Sequence, residues 1–125
     1  MTTKQKEAVT PVTKLKMTIG LAAKAGKIVY GTPLICDGLR SSGSKKSILV
    51  LEGSNSSYNT HKKLSDKCSF YETELVRLPI TMEELSEALG KRSVIAAVGI
   101  TDKGLAEAIL RKLKELPSEN DVSDI

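Results

Sequence analysis

Ser47-Ile48-Leu49-Val50-Leu51 is a nearly continuous apolar run of strand length. A strand that alternates apolar and polar residues covers one side of a sheet, whereas an unbroken run is buried on both, so this segment is expected at the centre of a sheet. Two more segments read as strands. Leu75 to Leu78 is closed by Pro79, and Val94 to Ile100 precedes a polar turn. A shorter extended piece, Lys27 to Tyr30, lies ahead of all three.

Helical patterns separate these runs. Val12, Leu15, Ile19 and Ala22 recur at helical spacing with Lys14, Lys16 and Lys24 outside the stripe, predicting a helix over 12–25 that Gly26 ends. Gly31-Thr32-Pro33 starts a second helix, with Thr32 expected as N-cap and Pro33 at the first helical position, running to about Ser42. The loop Gly53 to Ser57 leads into a third helix striped by Leu64, Cys68 and Tyr71. Thr81-Met82-Glu83-Glu84 has the spacing of a capping box and opens a fourth, and Leu105, Ile109, Leu113 and Leu116 stripe a fifth that Pro117 stops. Helix and strand alternate throughout, which implies a sheet covered on both faces, an α/β chain folded as a three-layer α-β-α sandwich. Residues 1–11 read as a flexible basic segment, 12–116 as one domain and 117–125 as a disordered acidic tail.

Composition narrows the function classes. Among 125 residues there are four aromatics, Tyr30, Tyr58, Phe70 and Tyr71, and no Trp, which argues against an aromatic-rich β-sandwich and against broad base-stacking platforms. No apolar run reaches the ~20 residues that span a bilayer, and Met1 to Val9 has no signal-like apolar stretch behind it, so a cytoplasmic protein is expected. Cys36 and Cys68 stand 32 residues apart beside a single histidine, too few ligands for a structural zinc site; they read as two buried thiols in a reducing compartment, with no metal and no cofactor. Charge is unevenly spread. Residues 1–67 hold twelve Lys/Arg against four Asp/Glu, while 68–125 hold seven against eleven, within a net charge of +4. A basic half is the footprint of a phosphate-backbone binder, and equally that of an ordinary solvated surface.

Enzymatic patterns are absent. Gly99 to Gly104 has the glycine spacing of a phosphate loop but is followed by Leu105 and Ala106 instead of Lys and a hydroxyl. His61, beside Lys62 and Lys63, reads as a solvated surface residue. Glu83 and Glu84 suit the first turn of a helix, and Asp102 suits a cap. The polar loops say more: Lys24, Gly26, Lys27, Tyr30, Gly31 and Thr32 place cations, an aromatic, glycines and a helix start within nine residues, a composition that lets backbone approach phosphate. Lys91-Arg92-Ser93 forms a second basic loop between a helix end and a buried strand.

Lys24-Ala25-Gly26-Lys27, the Gly31-Thr32 helix start, the strand at Ile48 to Leu51, Asn59 through Cys68, Leu85 through Lys91 and Ala97 through Gly104 together resemble the ribosomal-protein L-seven-Ae family, above all its small bacterial YlxQ branch. The resemblance covers about residues 12–115. It implies a four-stranded mixed sheet in the sandwich and a non-enzymatic, ribosome- or RNA-processing-associated protein that binds kink-turn or related bent RNA. The implied partners are structured RNA, ribosomal RNA foremost, and ribosomal proteins, for a protein expected to act as a monomer. In the RNA-binding members the second helix starts Gly-x-Asn-Glu-x-x-Lys; here Gly31 matches, while Pro33, Leu34 and Asp37 stand at the Asn, Glu and Lys positions. The loop around Asn55 corresponds to one that supplies polar contacts, and Lys91, Arg92 and Ser93 to one that packs on a flipped-out nucleotide. The departures in the second helix leave open a different class: a protein-interaction module that keeps the fold with weakened RNA contacts.

Overall fold

A computed structural model describes residues 10–41 and 43–117. The expected basic segment lies almost wholly, and the acidic tail apart from Pro117, outside the described residues. The elements run α1 (Pro11–Lys24), β1 (Ile28–Tyr30), α2 (Thr32–Leu39), β2 (Leu49–Glu52), α3 (Tyr58–Phe70), β3 (Glu74–Arg77), α4 (Met82–Ala88), β4 (Ala97–Ile100) and α5 (Lys103–Lys114). The expected order of alternating helices and strands is the observed one.

The sheet is mixed, with strand order β1-β4-β2-β3. β2 runs parallel to β3, and β4 runs antiparallel to both β1 and β2. Alternation along the two central strands divides the core. Leu49, Leu51, Val98 and Ile100 join the residues of α1, α4 and α5, among them Leu15, Ile19, Leu85 and Ile109. Val50 and Ala97 face the opposite way, into a smaller cluster with Ile35 and Leu39 of α2 and Leu64 and Cys68 of α3. Each central strand is therefore buried on both faces, which is why its sequence reads as an unbroken apolar run. Gly99 sits where β4 passes Ser47 and Ile35, and a side chain there would collide with Ser47.

Several boundaries differ from expectation. β2 starts at Leu49, two residues later than the apolar run, and ends on Glu52; pairing with both β3 and β4 spans only Leu49 to Glu52, and Ile48 is 43% exposed. β4 starts at Ala97 rather than Val94. Residues 94–96 belong to the preceding loop, where Ile95 N–H donates to Ser86 Oγ at 2.7 Å and Ala96 O accepts from Gly53 N at 2.9 Å. α2 ends at Leu39, and Ser42, its expected end, is outside the described residues. Its N-cap is Gly31, not Thr32, which is already helical. Gly31 has φ +88°, a conformation open to glycine and strained for other residues.

The other caps follow the sequence. Thr81 and Glu84 form the full capping box on α4, Asp102 Oδ2 accepts from Leu105 N at 2.9 Å at the start of α5, and Ser57 caps α3. Cys36 and Cys68 are free and buried. Burial, with Cys36 and Glu52 nearby, pushes the Cys68 thiol up to about 11. No described helix is long and apolar enough to cross a membrane.

Candidate nucleic-acid interface

Because β1, β2 and β3 run in one direction and β4 in the other, one rim of the sheet gathers the turn after Tyr30, the loop after Glu52 and the loop before Ala97. Backbone hydrogen bonds fix these loops to one another. Gly31 N donates to Ala97 O at 3.0 Å, Gly53 N to Ala96 O at 2.9 Å, and Ser54 N to Ile80 O at 2.8 Å. Two loops that are distant in sequence are thereby forced into neighbourhood by the register of β4.

The two basic loops meet through side chains. Lys91 Nζ lies 4.4 Å from the centroid of the Tyr30 ring, within cation–π range. Tyr30 and Lys91 together line two clefts. One, of about 280 Å³, also takes in Lys24 from the last turn of α1 and Gly90 at the end of α4. The other, of about 380 Å³, includes Gly31 and Ser93. Lys24, Tyr30, Gly31, Lys91 and Ser93 thus share one continuous surface. Beside it, α2 opens without a side-chain cap: Pro33 has no N–H, and Ile35 N is used by Gly31 O, so the N–H groups of Thr32 and Leu34 face outward at the positive end of the helix.

The other expected residues lie elsewhere or are engaged. Gly26, φ +71°, terminates α1, donating to Ala23 O while Lys27 N reaches Ala22 O. Lys27 O accepts from Thr101 N at the far end of β1, so Lys27 belongs to the opposite rim from Gly31. Arg92 stands at the margin: with Lys91 it lines a cleft that adjoins this surface and is bordered by Glu83, Glu84 and Glu87 on the flank of α4. Asn55 is exposed, yet both ends of its amide are in use: Oδ1 accepts from Met82 N at 2.8 Å and Nδ2 donates to Glu83 Oε1 at 3.1 Å. It ties the β2–α3 loop to the start of α4. The Asn55 amide, first among several contacts, holds the Glu83 carboxyl below the usual carboxylate range. The Thr81 backbone N–H, with help from Lys16, does the same for Glu84.

His61 is the main correction to the residue-by-residue reading. Its side chain is still 38% exposed, but it is not simply solvated: Nδ1 lies 2.8 Å from Oε1 of Glu52, a carboxyl group with no solvent exposure. Ser56 Oγ donates to the other oxygen, Oε2, and the Arg77 guanidinium donates to Ser56 O at 3.2 Å. One sequence signal for this was available: Glu52 continues the alternation Leu49-Val50-Leu51, on the same side as buried Val50, so its charge has to find partners inside.

No protein-family model matches the chain. The solved structure of a protein with unknown function from Bacillus halodurans C superposes with a TM-score of 0.72 at 25% identity, covering 82% of this chain and 98% of that one. The Giardia lamblia 15.5kD RNA binding protein superposes with a TM-score of 0.67 at 13% identity, covering 84% and 86%. These define the class: an α/β/α sandwich with a four-stranded mixed sheet, in an architecture that an RNA-binding protein shares. Two curated relatives, each named RNA-binding protein YlxQ, are closer in sequence. That of Enterococcus faecium is 36% identical over 98 residues (78% of this chain, 85% of the relative), and that of Bacillus subtilis (strain 168) is 33% identical over 95 residues (76% and 90%). The chain belongs to the YlxQ family.

Proposed function

We propose that this protein is a non-enzymatic RNA-binding protein that holds the phosphate backbone of a structured, kink-turn-like RNA on the rim formed by Lys24, Tyr30, Gly31, Thr32 and the Lys91–Ser93 loop. The single observation that carries this reading is the contact of Lys91 with the Tyr30 ring, which merges the two basic loops into one surface. Lys24, Lys91 and Arg92 supply the cations, and the outward N–H groups of Thr32 and Leu34 supply donors. Ser93 Oγ adds a hydroxyl, and the Tyr30 ring holds the Lys91 ammonium in place beside it. The YlxQ relatives' name supports the same partner. Pro33, Leu34 and Asp37 present neither amide nor cation at the start of α2, so in this chain the helix contributes backbone N–H groups to the RNA. The protein works as a monomer in the cytoplasm on ribosomal RNA, next to ribosomal proteins.

Filter binding to a panel of structured RNAs, kink-turns included, at several salt concentrations tests this. Three neutralised phosphates give a log–log salt slope of about −2 to −2.7. No detectable affinity for any of them at low salt overturns the reading and promotes the protein-interaction module.

A further inference from the structure

β1 is an edge strand, and its register determines what that edge offers. Gly31 N donates to Ala97 O and Thr101 N donates to Lys27 O, with Val29 opposite Gly99 between them. In an antiparallel ladder these alternate residues direct both backbone groups at the partner, so Lys27, Val29 and Gly31 are turned toward β4. Ile28 and Tyr30 are turned the other way, presenting two N–H and two C=O groups to the outside. The strand carries no charged residue of its own. The sheet's other edge, β3, begins and ends on exposed Glu74 and Arg77, the usual guard against strand addition.

Alongside the open edge runs a cleft of about 380 Å³ between β1 and α2, floored by Val29 and Gly38 and walled by Leu34, which is 59% exposed. Its acid is already neutralised: Asp37 Oδ1 is bound by Arg40 at 2.6 Å. Its other cation is not, because Lys45 lines the cleft with no ion pair among the described residues, and exposed Lys27, two residues before Val29 and so on the same side of the strand, has none either.

We propose that this edge is a docking site for an extended peptide segment of a partner protein, added antiparallel to β1, with an apolar residue opposite Val29 and an acidic residue opposite Lys27. The backbone groups of Ile28 and Tyr30 supply four hydrogen bonds, the apolar side chain packs on Val29, Leu34 and Gly38, and the acid pairs with Lys27 and Lys45. A second copy of this chain fits less well. Two-fold pairing about Val29 sets Lys27 against Gly31 and leaves both lysines without an acid. The site lies on the α2 side of β1; it shares Tyr30 and Leu34 with the proposed RNA surface but takes in neither Lys24 nor Lys91, so Lys27→Glu acts on the peptide and Lys91→Ala on the RNA, and either reading can fail alone.

The probe is a fluorescein-labelled peptide of alternating threonine and valine, proline at both ends, with glutamate two positions beyond the central valine, titrated with the full-length protein by anisotropy. Saturable binding is expected, weakened at least tenfold when the amides of the two residues flanking the central valine are N-methylated. Lys27→Glu is expected to weaken the glutamate peptide at least fivefold and to tighten a lysine-bearing version of it. No binding at millimolar protein, indifference to N-methylation, or equal effects of Lys27→Glu on both peptides overturns the proposal. Two further results overturn it: loss of RNA binding in Lys27→Glu to the same extent as loss of the peptide, which gives the edge to RNA, and concentration-dependent dimerisation lost in Ile28→Pro, which gives it to a second copy.

Discussion

Lys91 Nζ stands 4.4 Å from the centre of the Tyr30 ring, joining the end of the sheet's edge strand to a loop that comes sixty-one residues later in the chain. A cation over an aromatic face at an exposed site is worth about 0.5–1 kcal/mol. Its greater effect here is positional, since it keeps the ammonium beside Gly31 and the open N–H groups of α2.

Replacing Lys91 and Arg92 together with Ala is therefore expected to weaken RNA binding by about 1 to 3 kcal/mol, the range for lost hydrogen bonds to charged groups, with the fold intact. Lys62→Ala with Lys63→Ala removes the same net charge from α3, where Lys62 is already paired with Asp66 at 3.1 Å, and should cost less. Equal losses from the two pairs, measured by filter binding at one salt concentration, would show that bulk attraction and not this surface holds the RNA.

Tyr30→Phe should keep RNA affinity within about twofold, because the ring and its contact with Lys91 survive. Tyr30→Leu removes the π face while keeping apolar bulk, and is expected to weaken binding by about 0.5–1 kcal/mol. A melting temperature that stays put in both variants assigns the difference to the interface.

The fold was largely readable because its strongest signals are local. The Thr81–Glu84 capping box and the Asp102 cap each close within four residues, and the double-faced burial of β2 and β4 is written into their apolar runs. Strand ends were less readable. Val94 and Ile95 look as strand-like as Val98, but pairing stops at Ala97 because Ala96 O is taken by Gly53 and Ile95 N by Ser86. The candidate interface was half visible: composition marked both basic loops, while only the antiparallel register of β4 decides that Tyr30 meets Lys91 and that Lys27 goes to the opposite rim. Asn55 looked like a free polar contact because nothing in its neighbourhood reveals that its partners are Met82 and Glu83.

Acid should loosen α4. Glu84 and Glu83 have carboxyl groups held below the usual range, by the Thr81 backbone N–H and the Asn55 amide respectively. A carboxyl depressed in the folded state contributes stability that is present above its unfolded value, about 4.3, and is lost as pH falls through the folded value. Melting temperature is expected to be flat near pH 6 to 7 and to decline below about pH 4.3. Glu84→Gln should lower the plateau and flatten that decline, and an unchanged slope would remove Glu84 as its source.

Cys68 should resist alkylation in the native protein. Its thiol is pushed up to about 11, so at pH 8 almost none is thiolate, and the thiolate is the nucleophile. Iodoacetamide at pH 8, followed by mass spectrometry, is expected to modify Cys68 slowly in buffer and rapidly in denaturing urea. Native labelling at the rate of a free cysteine would show that the α2–α3 side of the core opens far more readily than its packing implies.

The pair formed by His61 and Glu52 makes the most demanding prediction, because its two members should not behave alike alone and together. Glu52 is fully buried and accepts from Ser56 Oγ and His61 Nδ1. His61→Ala leaves that carboxylate inside the protein with one partner, and an under-satisfied buried polar group costs about 1–3 kcal/mol. Glu52→Leu removes the charge but leaves Ser56 Oγ and the His61 ring nitrogen without an acceptor. The double variant removes the carboxylate and the imidazole together, so its cost should be smaller than the sum of the single costs, by the amount that each single change spends on an abandoned partner. Urea unfolding of the wild type and the three variants measures that difference directly. A double variant whose loss equals the sum would mean that His61 and Glu52 are neighbours without being coupled, and that Ser56 and the surrounding backbone are what make the buried carboxylate tolerable.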